Sequence, residues 1–127
     1  LNNYDESRLS VRDGVCVYEL GRLEGHKRAI VALWPPWLRV ERIHVSWQSL
    51  APIARKYGVV HIKYIRKFVA QKMIDLGIPP DIVDFIQGRA PTRSIILFTN
   101  YASLLNQAIK HYKRYADWLR GFLNDIL

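Results

Sequence analysis

The sequence predicts a mainly α-helical domain with a small antiparallel β-hairpin or sheet near its N-terminus, an α+β fold. Two short runs rich in β-branched and aromatic residues lie in the N-terminal third, separated by a polar segment. Beyond them, apolar residues recur at helical spacing up to the C-terminus. Half of the 127 residues are apolar, which suffices for one hydrophobic core and therefore for a single domain over residues 1–127.

The predicted hairpin comprises strands Gly14–Glu19 and Arg28–Trp34, joined by a polar tip over Gly21–Lys27. Two prolines follow Trp34 and end the second strand, because proline cannot donate a ladder hydrogen bond. A short third strand is predicted over Val40–Val45. The single cysteine, Cys16, falls in the first strand, where we expect a buried thiol.

Four helices are predicted after the hairpin. The first spans Trp47–Lys56, with Ser46 as N-cap and Gly58 at its end. The second spans Val59–Leu76 and stops at Gly77. Its apolar positions are Ile62, Ile65, Phe68, Val69, Met73 and Leu76.

The third helix is predicted over Asp81–Gln87, with Pro80 in its first turn and Gly88 at its end. The segment Ser94–Phe98 contains β-branched residues and is ambiguous between strand and helix. The last helix is predicted from about Ala102 to Leu127. Its apolar stripe consists of Leu105, Ile109, Tyr112, Ala116, Leu119 and Leu123.

The net charge of +8 and the pI near 9.9 favour an anionic partner, with nucleic acid first and an acidic membrane surface second. No apolar run reaches the length of a membrane span, and no signal peptide is visible. One cysteine excludes an internal disulfide and a Cys-rich zinc site. The scattered histidines and the lack of a Gly-rich phosphate loop predict no metal and no cofactor.

The most informative segment begins with Lys63-Tyr64-Ile65-Arg66 and continues through an amphipathic run to Gly77-Ile78-Pro79-Pro80. It then reads Ile86-Gln87-Gly88-Arg89 and closes on Tyr101. This order resembles the second half of the active site of the tyrosine recombinase (phage integrase) family. There the pattern is His-x-x-Arg, a helix, a Gly-containing turn, a short helix ending in Leu-Gly-His, and a nucleophilic tyrosine.

The resemblance implies a cofactor-free enzyme that cleaves and rejoins DNA through a covalent 3′-phosphotyrosine. Tyr101 would be the nucleophile, because a phosphotyrosine conserves the bond energy of the DNA backbone. Arg66 would hold a non-bridging oxygen of the scissile phosphate, for which a planar, permanently charged fork is suited. Lys63 stands at the His position, one helical turn before Arg66. Arg89 stands where the family usually has His or Trp, and would still donate to phosphate.

The resemblance also covers the hairpin, where the family has a catalytic lysine that protonates the leaving 5′-oxygen. The local sequence Gly21-Arg22-Leu23-Glu24-Gly25-His26-Lys27-Arg28 offers Lys27 and Arg22 for this role. Lys27 is preferred because arginine does not give up its proton. The family's first arginine, in an Arg-x-Ser-Glu helix, has no counterpart here. Since the chain also starts without Met, we expect a C-terminal fragment of a longer recombinase.

The divergent motif is similar to that of integrases from archaeal spindle-shaped viruses (fuselloviruses). The implied partner is double-stranded DNA at an attachment site, bound by a homo-tetramer, with a monomer expected in isolation and no membrane. The implied location is the host cytoplasm. Two other readings stay open: a non-catalytic helical domain that binds the DNA backbone, and a basic protein-interaction module. Tyr112 and Tyr115 are rival tyrosines, interpreted as a core residue and as a surface or core-flanking residue.

Overall fold

The computed structural model describes residues 4–20, 30–41, 46–58, 62–89 and 94–126, without the side chains of residues 47, 62 and 94–100. Within these ranges the chain forms a short 3₁₀ helix, three β-strands and four α-helices. The strands are β1 (Leu9–Arg12), β2 (Val15–Glu19) and β3 (Val31–Trp34), and the helices are α1 (Trp47–Lys56), α2 (Ile62–Asp75), α3 (Pro80–Ile86) and α4 (Ser94–Ile126). This arrangement confirms the predicted α+β class.

The sheet is an antiparallel meander in the order β1-β2-β3. Strands β2 and β3 are the predicted hairpin, and the Leu20 amide donates to the Ile30 carbonyl at 2.8 Å where its tip begins. The third strand is β1, and the prediction of a strand over 40–45 was wrong for its two described residues, 40 and 41. Residues 42–45 lie outside the described ranges.

A tight turn at Asp13-Gly14 joins β1 to β2. Both residues have positive φ, 51° and 74°, as a two-residue turn of the primed type requires. Such a turn matches the right-handed twist of the flanking strands, and glycine adopts it without steric cost. The Asp-Gly pair therefore explains why the segment before β2 folds back to form β1.

Strand β2 is buried on both faces. Val15 and Val17 join the main core against the helices, whereas Cys16 and Tyr18 pack with Trp34 in a second, smaller cluster on the other face. The prediction of a buried strand thiol at Cys16 is confirmed. The sheet therefore has an apolar cluster on each face, and β2 packs against α4 on the helix-facing side.

The helix boundaries follow their capping residues. Ser46 caps α1, since its Oγ accepts a hydrogen bond from the Ser49 amide at 3.2 Å. Gly58, Gly77 and Gly88 all have positive φ just after α1, α2 and α3, which is the C-terminal geometry that favours glycine. These three predicted stops are confirmed.

Helix α4 begins at Ser94, well before the predicted start near Ala102, and the ambiguous segment 94–98 is helical. Its stripe is buried or half-buried as predicted, and Tyr112 is a core residue. The interpretation of Tyr115 as a surface or flanking residue was wrong, because it is only 6% exposed and packs against Tyr112 with ring centroids 5.9 Å apart.

The stripe predicted for α2 is only partly internal. Met73 is buried and Val69 half-buried, but Ile65 and Phe68 are exposed. Helix α1 makes no extensive contact with any other described element. We call the apolar side chains that α1 and the first half of α2 leave exposed the α1–α2 surface; it comprises Leu50, Ile53, Tyr57, Tyr64, Ile65 and Phe68.

Candidate active site

Arg66 lies on the exposed side of α2 and is tied to the end of α3 by two hydrogen bonds. Its guanidinium Nη2 donates to the main-chain carbonyl of Gln87. In return, the Gln87 side-chain Nε2 donates to the main-chain carbonyl of Arg66 at 3.0 Å. A carbonyl at a helix C-terminus lacks an intrahelical partner and carries partial negative charge, so it is a natural acceptor for a cation. Helix α2 and the C-terminal end of α3 are thus held together at Arg66, the candidate ligand of the scissile phosphate.

Arg89 follows the same turn, two residues after Gln87. Gly88 has a φ of 80°, and the Arg89 amide donates back to the Asp84 carbonyl at 2.7 Å, while the Gly88 amide donates to Phe85 at 3.2 Å. This pair of bonds closes the C-terminus of α3 and reverses the chain after it. The Arg89 side chain is exposed at this turn. Because its amide is bonded to Asp84, the Arg89 backbone is fixed to α3, whose capping residue Gln87 accepts the bond from Arg66.

Tyr101 lies roughly two turns inside α4 and is half-buried. Its ring packs against Phe85 of α3, with centroids 6.5 Å apart and planes inclined by 59°, a tilted aromatic pair. Phe85 is buried and lies two residues before Gln87. Helix α3 thus contacts both Arg66, through Gln87, and Tyr101, through Phe85.

The surroundings of Tyr101 raise the pKa of its phenol. Burial is the main cause, the Glu19 carboxylate adds to it, and the Arg12 guanidinium opposes it. Glu19 and Arg12 approach each other at 4.0 Å across the sheet face. Glu19 is the last residue of β2, and Arg12 is the last residue of β1. The phenol therefore loses its proton less readily than a tyrosine with the ordinary pKa.

Lys63 is exposed on α2, one turn before Arg66, as the helical spacing predicts. Its Nζ lies 5.0 Å from the centroid of the Tyr64 ring, a cation–π distance. Lys27 and its alternative Arg22 lie outside the described residues. The flanking strands are β2, which ends at Glu19, and β3, which begins at Val31, and these two residues pair with each other.

Two residues of this region escaped the sequence prediction. Gln87 stands where the resembled motif has leucine, so its bonding capacity was not considered. Glu19 closes the strand before the hairpin tip, and its charge beside an apolar strand was the available signal. Neither residue could be connected to Arg66 or Tyr101 from the sequence, because the contacts join elements that are distant along the chain.

The described part of the chain shows no group of three or more His, Cys, Asp or Glu residues that could hold a metal ion. Among the same residues, no helix has both the length and the apolarity needed to cross a membrane.

A comparison with known families matches the model of the archaeal phage integrases over residues 1–118. The match spans the sheet, α1, α2, α3 and most of α4, and the chain belongs to this family. Membership assigns the chain to DNA integration and recombination, with DNA as its partner. No curated protein matches the sequence significantly.

Proposed function

We propose that this integrase cleaves and rejoins DNA by the tyrosine recombinase mechanism, with Tyr101 as nucleophile. The observation that supports it best is the role of α3 as a common anchor: it is bonded to Arg66 through Gln87, continues directly into Arg89, and packs against Tyr101 through Phe85. This short helix and the turn after it therefore contact Arg66 and Tyr101 and lead into Arg89. A shared anchor supports the proposal, because in phosphoryl transfer the nucleophile and the charge-stabilising groups must act on one phosphate.

In the proposed reaction the Tyr101 hydroxyl gives its proton to solvent water as its oxygen attacks the scissile phosphorus, and a new P–O bond forms. The bond from phosphorus to the 5′-oxygen breaks, and that oxygen leaves with a proton. Lys27 at the hairpin tip would supply this proton as general acid, with Arg22 as the alternative cation. Rejoining is the same exchange in reverse, in which a 5′-hydroxyl attacks the phosphotyrosine. The reaction needs neither an external energy source nor a cofactor.

Arg66, Arg89 and Lys63 would stabilise the charge that builds on the non-bridging oxygens. Arg66 and Arg89 present planar forks that can donate two hydrogen bonds each, whereas Lys63 offers a compact charge. One N–H of Arg66 donates to the Gln87 carbonyl, and its other N–H groups could donate to a phosphate. The exposed position of all three fits a substrate as large as duplex DNA.

The raised pKa of Tyr101 sets a condition on the mechanism. A neutral phenol is a poor nucleophile, so it must lose its proton as it attacks. The Arg12 guanidinium lowers the pKa of the phenol and so favours this loss, whereas burial and Glu19 raise the pKa.

The decisive experiment uses the full-length protein and a nicked suicide duplex, whose short cleaved strand diffuses away and traps the covalent adduct. Tyr101→Phe should abolish the adduct, because only the hydroxyl is removed, while duplex affinity and folding are retained. Tyr115→Phe is the matched control and should form the adduct. An adduct that persists in the Tyr101→Phe variant would assign the nucleophile elsewhere.

The same experiment decides between the proposal and a non-catalytic DNA-binding domain. Both predict duplex binding that weakens steeply with salt, because both place cations on phosphates. Only the enzyme forms an adduct.

We further propose that four copies act together on DNA in the cytoplasm. Sedimentation of the protein with and without its duplex tests that stoichiometry.

A further inference from the structure

Gln87 makes a reciprocal pair of hydrogen bonds with Arg66, and the two bonds have different effects. The bond from the guanidinium to the Gln87 carbonyl orients the charged group itself. The bond from the Gln87 side chain reaches the α2 backbone, whose carbonyl at Arg66 accepts it at 3.0 Å. One residue therefore fixes both the head and the base of the Arg66 side chain relative to α3.

The position of Gln87 makes these bonds consequential. It is the residue just past α3, and its amide closes that helix by bonding to the Val83 and Phe85 carbonyls. The chain then turns at Gly88 and reaches Arg89, whose amide is bonded to Asp84. Because the backbone from α3 to Arg89 is fixed, an anchor between Gln87 and Arg66 also fixes the spacing of the two arginines.

The rest of α2 does not supply this anchor. The neighbours of Arg66 on this part of the helix, Ile65, Lys67 and Phe68, are exposed and belong to the poorly covered part of the fold. The buried contact of α2 lies farther along, at Met73. A long, flexible side chain at position 66 would otherwise sample many rotamers, and ordering it would cost conformational entropy.

We infer that Gln87 is a positioning residue for the proposed reaction: it holds Arg66 at the spacing from Arg89 at which both guanidinium groups reach one phosphate. The inference rests on the proposed function and adds a residue to which that function gave no role. Gln87 itself does not touch the phosphate. Its effect therefore passes entirely through Arg66 and should disappear when Arg66 is removed.

The test measures single-turnover cleavage of the suicide duplex at saturating DNA by the full-length protein. Gln87→Leu keeps the approximate volume and loses the N–H donor. Loss of one such bond should slow cleavage about three- to tenfold. Gln87→Glu keeps the shape, also lacks the donor, and should slow cleavage at least as much. Duplex affinity should stay unchanged, because many other cations supply it.

Gln71→Leu is the matched control. Gln71 lies on the same helix, is exposed, and donates from Nε2 to Asp75 at 2.9 Å, so it loses a comparable bond away from Arg66. Its cleavage rate should equal that of the unmodified protein. The melting temperatures of the Gln71 and Gln87 variants should be similar, which separates positioning from stability.

The double variant Arg66→Ala with Gln87→Leu completes a double-mutant cycle, which measures whether the two residues act through each other. It should be no slower than Arg66→Ala alone. An additional three- to tenfold loss would show that Gln87 does not act through Arg66 and would overturn the inference, as would full activity in Gln87→Leu and Gln87→Glu. In either case adduct formation by the unmodified protein would leave the proposed function intact. Failure of the unmodified protein to form any adduct would reject both.

Discussion

Two regions of this molecule differ in how their apolar residues are covered. In one, α3, α4, the sheet and the second half of α2 enclose a continuous core that includes Met73, Ile78 and Ile109. In the other, the α1–α2 surface leaves comparable side chains in contact with solvent. The helical spacing of apolar residues is similar in the two regions, so the pattern identifies an apolar face but does not say what covers it.

Arg66 lies at the boundary between these regions. It projects from the exposed part of α2, yet Gln87 connects it to the packed region. Tyr101 lies in the packed region, against Phe85. The candidate site therefore draws one residue from each of the two regions, and the following substitutions test how the regions differ.

The largest effect on stability is expected from truncation in the core. Ile109 is 2% exposed and Ile53 is 50% exposed, so the same change can be made in both regions. Ile109→Ala should lower the free energy of unfolding by about 2–5 kcal/mol, because it removes buried methyl groups and leaves a cavity. Ile53→Ala should change it by less than about 0.5 kcal/mol. Urea unfolding measures both, and equal losses would contradict the comparison.

Arg66→Ala should reduce cleavage by about 10²–10³ with little change in stability, as for the loss of one preorganised oxyanion donor. Single-turnover cleavage and duplex affinity are measured side by side. Equal losses in both would indicate an ordinary backbone contact.

Lys27→Ala should slow cleavage of a normal phosphodiester, because the leaving 5′-oxygen needs a proton. A substrate with a bridging 5′-phosphorothiolate distinguishes this role from that of Arg66, because its leaving thiolate hardly needs an acid. Lys27→Ala should recover most of its rate on this substrate, whereas Arg66→Ala should not, since the non-bridging oxygens are unchanged.

Alkaline pH should weaken the packed region through its buried phenols. Burial is the main cause that raises the pKa of Tyr112, and Tyr115 adds to it. The unfolded chain loses this proton near the ordinary value of 10.0, before the folded chain does, so the stabilisation is complete below that pH and declines above it. Each such group contributes a slope of up to about 1.4 kcal/mol per pH unit.

Tyr112→Phe should therefore reduce the decline of the unfolding free energy between about pH 10 and pH 11.5, whatever its effect at neutral pH. Urea unfolding across that interval provides the measurement. An unchanged slope would mean that the Tyr112 phenol ionises equally in both states.

The smallest effect on global stability is expected at the cap of α1. Ser46→Ala removes the acceptor for the Ser49 amide and should weaken the helix locally by about 1 kcal/mol. Because α1 makes no extensive contact with other described elements, global unfolding should change by less than about 0.5 kcal/mol. Hydrogen exchange of the α1 amides should become faster while that of α4 does not. A large shift in the global transition would show that α1 contributes to the core.

Much of the fold could be predicted because its signals are local. Ser46, Gly58, Gly77 and Gly88 mark helix ends through their own backbone preferences, and the structure agrees with each. Asp13-Gly14 carries the same kind of local signal, and β1, which it joins to β2, was not among the predicted strands. The predicted start of α4 was too late for a different reason. Ile95 and Ile96 are β-branched and locally favour a strand, but the folded chain makes this segment helical.

The candidate site could be predicted only as a set of residue types. The spacing of Lys63, Arg66, Arg89 and Tyr101 suggested their roles, and the family match supports the integrase assignment but not the individual roles. The bonds of Gln87 to Arg66 and the influence of Glu19 on Tyr101 join separate elements and have no local signature.

The sequence by itself determined the class of the fold, most helix ends, the basic charge and the family, because each depends on local preference, composition or residue order. Only the tertiary structure decided that Tyr115 is buried, that Ile65 and Phe68 are exposed, and that α3 contacts both Arg66 and Tyr101. The physical reason is that burial and side-chain contact depend on which surfaces meet after the chain has folded. A periodic pattern fixes the face of a helix but not its neighbour.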